Sequence, residues 1–94
     1  MAMIYKIAYT SKFKRQRKLL LSRGYNISLL DEAVRLLAGG AALPEKYRDH
    51  ALQGKWKGYR DCHILPDWIL IYKIDQGILT LLLSETGSHS DLFR

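Results

Sequence analysis

Acid–base chemistry is available to four side chains of this sequence: His50, His63, Asp67 and His89. All four lie outside the two long predicted helices, where short connections between strands can bring them to one edge of a sheet. Imidazole titrates near neutral pH, so two histidines can serve as base and acid in one reaction. Taken singly, each residue has a simpler interpretation, because a loop histidine is usually solvated and an aspartate after a proline is an ordinary turn residue.

RNA cleavage is one reaction that such a set would suit. The ribose 2′-hydroxyl attacks the adjacent phosphate, a base accepts its proton, an acid protonates the leaving 5′-oxygen, and cations stabilise the added negative charge. Unpaired bases would stack on aromatic side chains, for which the sequence offers Tyr59, Trp68 and Phe93. Trp68 fits an ordinary core position equally well.

Other classes of active site have little support in the sequence. The spacings between the histidines do not resemble a clustered zinc signature. The pair Gly39 and Gly40 follows a predicted helix rather than preceding one, so it does not form a phosphate-binding loop. Cys62, the single cysteine, has no catalytic motif around it and is interpreted as a small buried hydrophobe. We therefore expect neither a metal ion nor a cofactor.

Positive charge is concentrated at the start of the chain. The formal net charge is +6, and residues 1–23 contain 7 Lys and Arg and no acidic residue, whereas the remaining residues contain 8 basic and 9 acidic residues. The predicted first helix carries most of this block: Lys12, Lys14, Arg15, Arg17 and Lys18. A one-sided basic block favours a polyanion or an acidic partner, although a solvated helix face would look the same.

The elements that must position these residues begin with a strand and two helices. Alternating side chains predict a strand over Ile4–Tyr9. Apolar residues at helical spacing predict one helix from Lys12 to a stop at Gly24, and a second helix that ends before Gly39. Two helices joined by a few residues should form an antiparallel hairpin.

The second half of the chain predicts three strands joined by tight turns, over Lys55–Leu65, Trp68–Ile74 and Ile78–Leu83. A serine-initiated capping pattern from Ser88 predicts a short helical turn after them. Such an order of elements predicts a single α+β domain over residues 1–94. Its small antiparallel β-sheet would carry the N-terminal helical hairpin on one face and leave the other face free for function.

Alternation along the first of these strands assigns its side chains to two faces of the sheet. Trp56, Arg60 and Cys62 fall on one face, and Asp61 and His63 fall on the other.

Membrane association is not expected. No apolar run is long enough to span a bilayer, and residues 1–9 lack the layout of a signal peptide. A cytoplasmic domain with no membrane partner is therefore the expectation.

Three consecutive motifs resemble those of one known family. The stretch Asp49–His63 resembles the DHxLxGxWKGYRDxH signature of the YafQ-type toxins, which belong to the RelE/ParE superfamily. The stretch Pro66–Lys73 matches the PDWILIYK segment that follows it, and Thr86–Phe93 matches the closing TGxHxxLF. Order and spacing agree for all three motifs, while the helical half resembles the family only in layout.

The resemblance implies a RelE-like fold and a toxin of a type II toxin–antitoxin pair. Such toxins are endoribonucleases that use no metal, enter the ribosomal A site and cut mRNA there. Ribosomal RNA and a cognate antitoxin protein are then the implied partners, which the basic first helix would contact.

The resemblance also implies roles for individual residues. His50, His63, Asp67 and His89 carry over as catalytic-site residues. His89 is implied as the general acid, and the other three position the RNA or share the base role. Two aromatic residues carry over as site-lining: Trp68 and Phe93, with Phe93 near the scissile nucleotide.

One position departs from the family pattern. Several members have an arginine before the Thr-Gly of the closing motif, where this chain has Glu85. A carboxylate repels phosphate, so the cation that stabilises the transition state would have to come from elsewhere. Arg60 is one source, and the others are lysines: Lys55, Lys57 or Lys73. Without such a cation the activity would be weak; alternatively, Glu85 acts as a base. Arg60 is favoured because it lies on the motif strand, although a bulge or strong twist is needed to bring it to the histidine face.

Two other functions stay open. A ParE-like toxin would act on a topoisomerase rather than on RNA, and it would need no acid–base set. A catalytically weakened homologue would bind RNA or the ribosome without cutting, an option that Glu85 keeps open. The histidines favour the ribosome-dependent mRNA endonuclease.

Overall fold

The computed structural model of the chain describes residues 4–93, so the ends of the predicted domain, residues 1–3 and 94, lie outside the described part. Besides helices and strands, it has single 3-10 turns at Glu45–Tyr47 and Gly54–Trp56. In chain order the elements are β1 (Lys6–Tyr9), α1 (Ser11–Ser22), α2 (Ile27–Ala38), β2 (His50–Ala51), β3 (Arg60–Leu65), β4 (Trp68–Asp75), β5 (Thr80–Gly87) and α3 (His89–Leu92). None of the helices formed by residues 4–93 combines the length and apolar character that a membrane span requires.

The strands form one mixed sheet in the order β1-β5-β4-β3-β2. Strands β2 to β5 pair antiparallel, whereas β1 runs parallel to β5, with Lys6 opposite Thr80 and Tyr9 opposite Leu83. The predicted α+β class is confirmed, but the expectation of a purely antiparallel sheet is wrong for β1. A parallel neighbour requires a long crossover connection, which the chain between β1 and β5 supplies.

The main core lies between the two long helices and one face of the sheet, as predicted. Phe13 and Leu20 of α1 and Leu30 and Leu37 of α2 are each at most 4% exposed. Full burial of such a side chain stabilises the fold by roughly 1.5–3 kcal/mol. Alternation along the strands sends these residues into the same core: Cys62, Leu70, Tyr72, Leu81 and Leu83.

The opposite face of the sheet carries a second, smaller apolar cluster, so it is less open than expected. Ile69 and Ile71 of β4 are at most 1% exposed at its centre, and Leu92 of α3 packs over them. The partly exposed Trp56 and Tyr59 lie against the same cluster. Function on this face is therefore confined to the surface that the cluster leaves open.

The chain before β3 explains how this cover forms. The predicted strand over Lys55–Leu65 is wrong in its first half, because β3 begins only at Arg60. Gly54 and Gly58 adopt φ values of +65° and +93°, which an extended strand cannot accommodate and which glycine adopts readily. Trp56 consequently lies in the small cluster and not beside Cys62, as alternation had placed it.

Helix α1 covers the edge of β5 where β1 stops. The pairing of β1 with β5 ends at Leu83. Beyond it, the Thr10 hydroxyl donates to the carbonyl of Ser84 over 2.6 Å, and the Thr86 backbone N–H donates to Gln16 Oε1 over 2.8 Å. Thr10 is also the N-cap of α1. One helix thus satisfies the open edge of the strand that leads into the candidate site.

Candidate active site

Histidines from three separate elements gather around one buried carboxylate. His50 is in β2, His63 is in β3, and His89 is the first residue of α3. Asp61 of β3 is 3% exposed. Burial raises the pKa of Asp61, while the charges of His50, His63 and His89 each act to lower it. All three imidazoles are therefore close enough to Asp61 to act on its charge.

Backbone carbonyls hold two of these rings by the same nitrogen. His50 Nδ1 lies 2.9 Å from the carbonyl oxygen of Arg48, and His63 Nδ1 lies 3.1 Å from that of Pro66. A carbonyl only accepts hydrogen bonds, so the neutral ring places its proton on Nδ1 and its lone pair on Nε2. Both rings can accept a proton from a substrate at Nε2. His50 Nδ1 also lies 3.1 Å from Asp61 Oδ1, an ion pair when the ring is protonated.

Helix α3 presents the third ring, and Asp67 anchors that helix. Asp67 Oδ1 accepts a hydrogen bond from the backbone N–H of His89 over 3.2 Å. A capping box joins Ser88 and Asp91, whose side chains each accept from the other residue's backbone N–H. The exposed His89 ring lies 4.9 Å, centroid to centroid, from the ring of Phe93. The structure thus places Asp67, His89 and Phe93 together, with Asp67 touching the main chain of His89.

Trp68 does not line this site, which corrects its assignment as an RNA-stacking residue. It is 1% exposed in the main core, where Tyr25 packs edge-on against it at 5.2 Å. Its Nε1–H donates to the Thr86 hydroxyl over 2.9 Å, and that hydroxyl donates to the Ile69 carbonyl. A residue so enclosed supports the sheet and offers no face to a base.

Arg60 also lies away from the histidines, so its assignment as the nearby cation is wrong. It pairs in register with Tyr72, whose side chain belongs to the main core, on the face opposite His63. Its guanidinium forms an ion pair with Asp49, Nη2 to Oδ2 at 3.1 Å, and that bond raises the pKa of Arg60. The one bulge in β3 lies after His63, too late in the strand to redirect Arg60.

The remaining predicted cations differ in their surroundings. Lys55 and Lys57 are exposed on the connection that covers the small cluster. On α1, Lys12 and Arg17 are engaged in ion pairs and Lys14 lies over the Tyr9 ring at 5.5 Å. Arg15 and Lys18 are exposed and form no ion pair within residues 4–93.

The described part of the chain offers no ready metal centre. Within residues 4–93, no group of three or more His, Cys, Asp and Glu side chains is arranged to hold a metal ion.

Comparison with known proteins shows the family of this chain. Residues 5–94 match the model of a family described as a bacterial toxin of the type II toxin–antitoxin system, YafQ. The chain belongs to the YafQ toxin family. The resemblance drawn from the three motifs is thereby confirmed.

Individual relatives span nearly the whole chain. The mRNA interferase toxin YafQ of Escherichia coli (strain K12) is 42% identical over 88 residues, covering 93% of this chain and 94% of that protein. A putative toxin YafQ of Haemophilus influenzae is 44% identical over 90 residues, covering 90% and 88%. The crystal structure of YafQ from E. coli BL21(DE3) superposes with a TM-score of 0.90 at 40% identity, covering 96% and 99% of the two chains. YafQ in the E. coli DinJ–YafQ complex superposes with a TM-score of 0.88 at 41% identity, with the same coverage.

Glu85, the departure from the YafQ pattern, has a structural partner. Its side chain is 10% exposed and lies 3.1 Å from Lys12 Nζ, oxygen to nitrogen. The amide of Gln16 donates to the same oxygen over 3.4 Å. Glu85 therefore ties β5 to α1, and it uses one of the lysines that the sequence assigned to RNA or antitoxin contact.

Asp61 is the site residue that sequence reasoning missed. It lies in the YafQ-like motif, two residues before His63, and alternation correctly put both on one face. Its pairing partner in β4 is Ile71 and its partner in β2 is His50. The signal was available, because a carboxylate two residues before His63 on a strand points to the same face of the sheet. The burial of Asp61, however, depends on elements far away in sequence.

Proposed function

We propose that the chain is the toxin of a type II toxin–antitoxin pair and an endoribonuclease that cuts mRNA in the ribosomal A site. The observation that carries the proposal is the arrangement of two histidines: His50 lies opposite Asp61 in the sheet with Nδ1 3.1 Å from its Oδ1, and the rings of His50 and His63 are both held by Nδ1. The names of its relatives support the same function, because the E. coli protein is called an mRNA interferase toxin.

The proposed reaction is an intramolecular transesterification at one phosphodiester of the RNA. His50 or His63 accepts the proton of the ribose 2′-hydroxyl at Nε2, and the 2′-oxygen forms a bond to phosphorus. The bond from phosphorus to the 5′-oxygen breaks, and His89 gives a proton to that oxygen. The products are a 2′,3′-cyclic phosphate and a 5′-hydroxyl, and no metal ion or cofactor takes part.

The proposed partners follow from the exposed parts of the molecule. Phe93, partly exposed beside His89, would stack on the base at the cut. The exposed Arg15 and Lys18 of α1 would bind ribosomal RNA. A cognate antitoxin would neutralise the toxin in the cytoplasm, as the complex of a relative with DinJ suggests.

Induction in a bacterium with mapping of transcript 5′ ends tests the proposal. The wild-type chain should cut transcripts within translated codons, and the cuts should disappear when translation is blocked. His89→Ala should abolish them, because no general acid then protonates the leaving 5′-oxygen. Gln76→Ala, at an exposed position in the turn between β4 and β5, is the control and should cut normally.

Two outcomes would overturn the proposal. Growth arrest with intact transcripts and a DNA-damage response would indicate a ParE-like action on a topoisomerase. Ribosome binding without any cuts, in the wild-type chain as in His89→Ala, would indicate a toxin homologue without nuclease activity.

A further inference from the structure

A cavity of about 480 Å³ opens directly beside His63, outside the cluster of histidines. Its volume lies within the range of roughly 300–1,000 Å³ that is common for ligand pockets. The residues that shape it come from α2, the 3-10 turn before β2, and the end of β3: Leu29, Lys46, Arg48, His63, Leu65 and Pro66. The catalytic function proposed above assigns no role to this space.

The cavity exists because β2 is short. β2 pairs only with Arg60 and Asp61 of β3, so the outer edge of β3 from Cys62 to Leu65 has no strand beside it in the described part of the chain. Arg48 ends the 3-10 turn in the left-handed region, at φ +48°, and turns the chain back toward β2. The cavity lies in the gap that this turn and the open strand edge leave between them.

The walls combine positive charge with aliphatic surface. Lys46 and Arg48 are exposed, and none of the described residues that line the cavity is acidic. Lys46 Nζ lies 5.3 Å from the centroid of the buried Tyr47 ring, which holds the ammonium at the cavity wall. Leu29 and Leu65 are 37% and 47% exposed and offer apolar surface to a flat ring. A phosphate and a base are the two chemical parts that such walls fit.

Two chain segments, at Arg48 and at Pro66, both line the cavity and hold the rings of His50 and His63. The carbonyl of Arg48 accepts from His50 Nδ1, and the carbonyl of Pro66 accepts from His63 Nδ1. Both Arg48 and Pro66 line the cavity, and His63 is shared between cavity and site. A group bound in the cavity therefore lies against His63, the residue that the cavity shares with the candidate site.

We propose that this cavity is a subsite for the nucleotide next to the scissile phosphate. The inference rests on the proposed RNA cleavage and adds to it. The base lies against Leu29 and Leu65, and Lys46 and Arg48 bind the phosphate of that nucleotide. Arg48 and Lys46 thus supply positive charge beside His63, which Arg60 cannot do from the other face of the sheet.

Single-turnover cleavage of mRNA on ribosomes with an occupied P site tests this subsite. Each nucleotide flanking the cut is replaced in turn by an abasic residue, and separately each flanking phosphate by a neutral methylphosphonate. Leu65→Thr removes the apolar wall and keeps a residue suited to a strand. Lys46→Met with Arg48→Asn removes both charges, and asparagine tolerates the left-handed backbone at this position.

We expect the loss of kcat/KM caused by an RNA modification to depend on the protein variant. At one flanking position, the abasic message should lower kcat/KM for the wild-type protein by about fivefold or more. Leu65→Thr should lose that sensitivity. At the same nucleotide, the methylphosphonate should lower kcat/KM about tenfold for the wild type and much less for the Lys46→Met/Arg48→Asn variant. Arg35→Gln, at an exposed cation on α2 that forms an ion pair with Glu32, should respond as the wild type does.

Other outcomes overturn the subsite without touching the catalytic proposal. If the wild type cuts and the variants keep every sensitivity to abasic and methylphosphonate positions, the cavity binds no RNA. If the variants weaken antitoxin binding while their cleavage is unchanged, the cavity belongs to a protein interface. If the wild type itself does not cut, the proposed function fails and the subsite fails with it.

Discussion

Asp61 is the residue whose position carries the clearest energetic consequence. It is nearly fully buried, and its Oδ1 has no hydrogen-bond partner with good geometry among residues 4–93, although His50 Nδ1 lies 3.1 Å away. Burial raises the pKa of Asp61 despite the three histidines. The folded protein thus keeps a carboxyl group where burial disfavours its charged form, as sites adapted to function often do.

Replacement of Asp61 by asparagine should stabilise the fold at neutral pH and impair activity. Because the folded pKa lies above the unfolded pKa, the folded state binds more protons in the window between them, and stability falls as pH rises through that window. Below the unfolded pKa the carboxyl is neutral in both states, so the advantage of Asp61→Asn should vanish in acid. Denaturant unfolding across pH measures this difference.

An exposed carboxylate provides the control for Asp61. Glu45→Gln, on the exposed 3-10 turn, should leave stability nearly unchanged at every pH. A loss of stability in Asp61→Asn at neutral pH would show that the pair with His50 outweighs the cost of burial, contrary to our expectation.

At the level of elements, two sets of contacts position the residues of the candidate site. Helix α3 is only four residues long and depends on its capping box and on Asp67 for its position. Helix α1 is joined to β5 by Glu85 with Lys12 and by Gln16. Both contacts involve the end of β5, the strand that delivers His89 to the site.

Loss of the cap on α3 should loosen the helix and reduce cleavage. Ser88→Ala removes the acceptor for the Asp91 N–H, and such a change costs a helix about 0.5–2 kcal/mol. Hydrogen exchange at the amides of Leu92 and Phe93 should accelerate about 2- to 30-fold, and the cleavage rate should fall because His89 is less well held. Ser88→Asn, an equally good N-cap, should restore both; equal exchange in all three proteins would argue against the role of the cap.

Glu85 should act as a link between helix and strand and not as a base. Glu85→Gln should reduce the free energy of unfolding by about 1 kcal/mol or less, since Lys12 remains largely exposed. The pH dependence of kcat should keep its shape, because no proton-accepting group of the reaction is lost. Lys12→Gln breaks the same pair and should show the same small loss. If Glu85→Gln alone removed the acidic limb of the pH profile, Glu85 would be the base after all.

For the whole molecule, charge acts over distances comparable with its size. The chain measures 34 × 32 × 28 Å, only a few Debye lengths across at physiological salt, where that length is about 8 Å. A net charge of +6 therefore attracts RNA from most orientations. What distinguishes one surface is whether its cations are free, and on α1 Arg15 and Lys18 are freer than Lys12 or Arg17.

Charge reversal at the free cations of α1 should weaken ribosome binding. Arg15→Glu with Lys18→Glu should lower affinity at low salt and reduce the slope of log affinity against log salt by about one unit for each phosphate that the helix no longer binds. Lys6→Glu with Arg23→Glu, at two other exposed cations, changes the net charge equally and serves as the control. Equal losses of affinity in the two doubles would mean that net charge alone, and not this face, attracts RNA.

The sequence by itself determined the α+β class, the stops of the long helices, the cap of the terminal helical turn, and the presence of histidines and an aspartate in a YafQ-like order. These features depend on local rules: alternation, helical spacing, Ser88 as a cap, and glycines at the helix ends. The same local rules placed His63 and Asp61 on one face correctly.

Only the tertiary structure decided what each site residue touches. The sequence was compatible with Trp68 either as a base-stacking residue or as a core residue. The tertiary structure places it in the core, where it contacts Thr86 and Tyr25. Arg60 lies in the same motif as His63 but forms an ion pair with Asp49, because Arg60 and His63 point to opposite faces of the sheet. The burial of Asp61 and the cavity beside His63 arise where β2 stops short and segments distant in sequence meet, which no local pattern encodes.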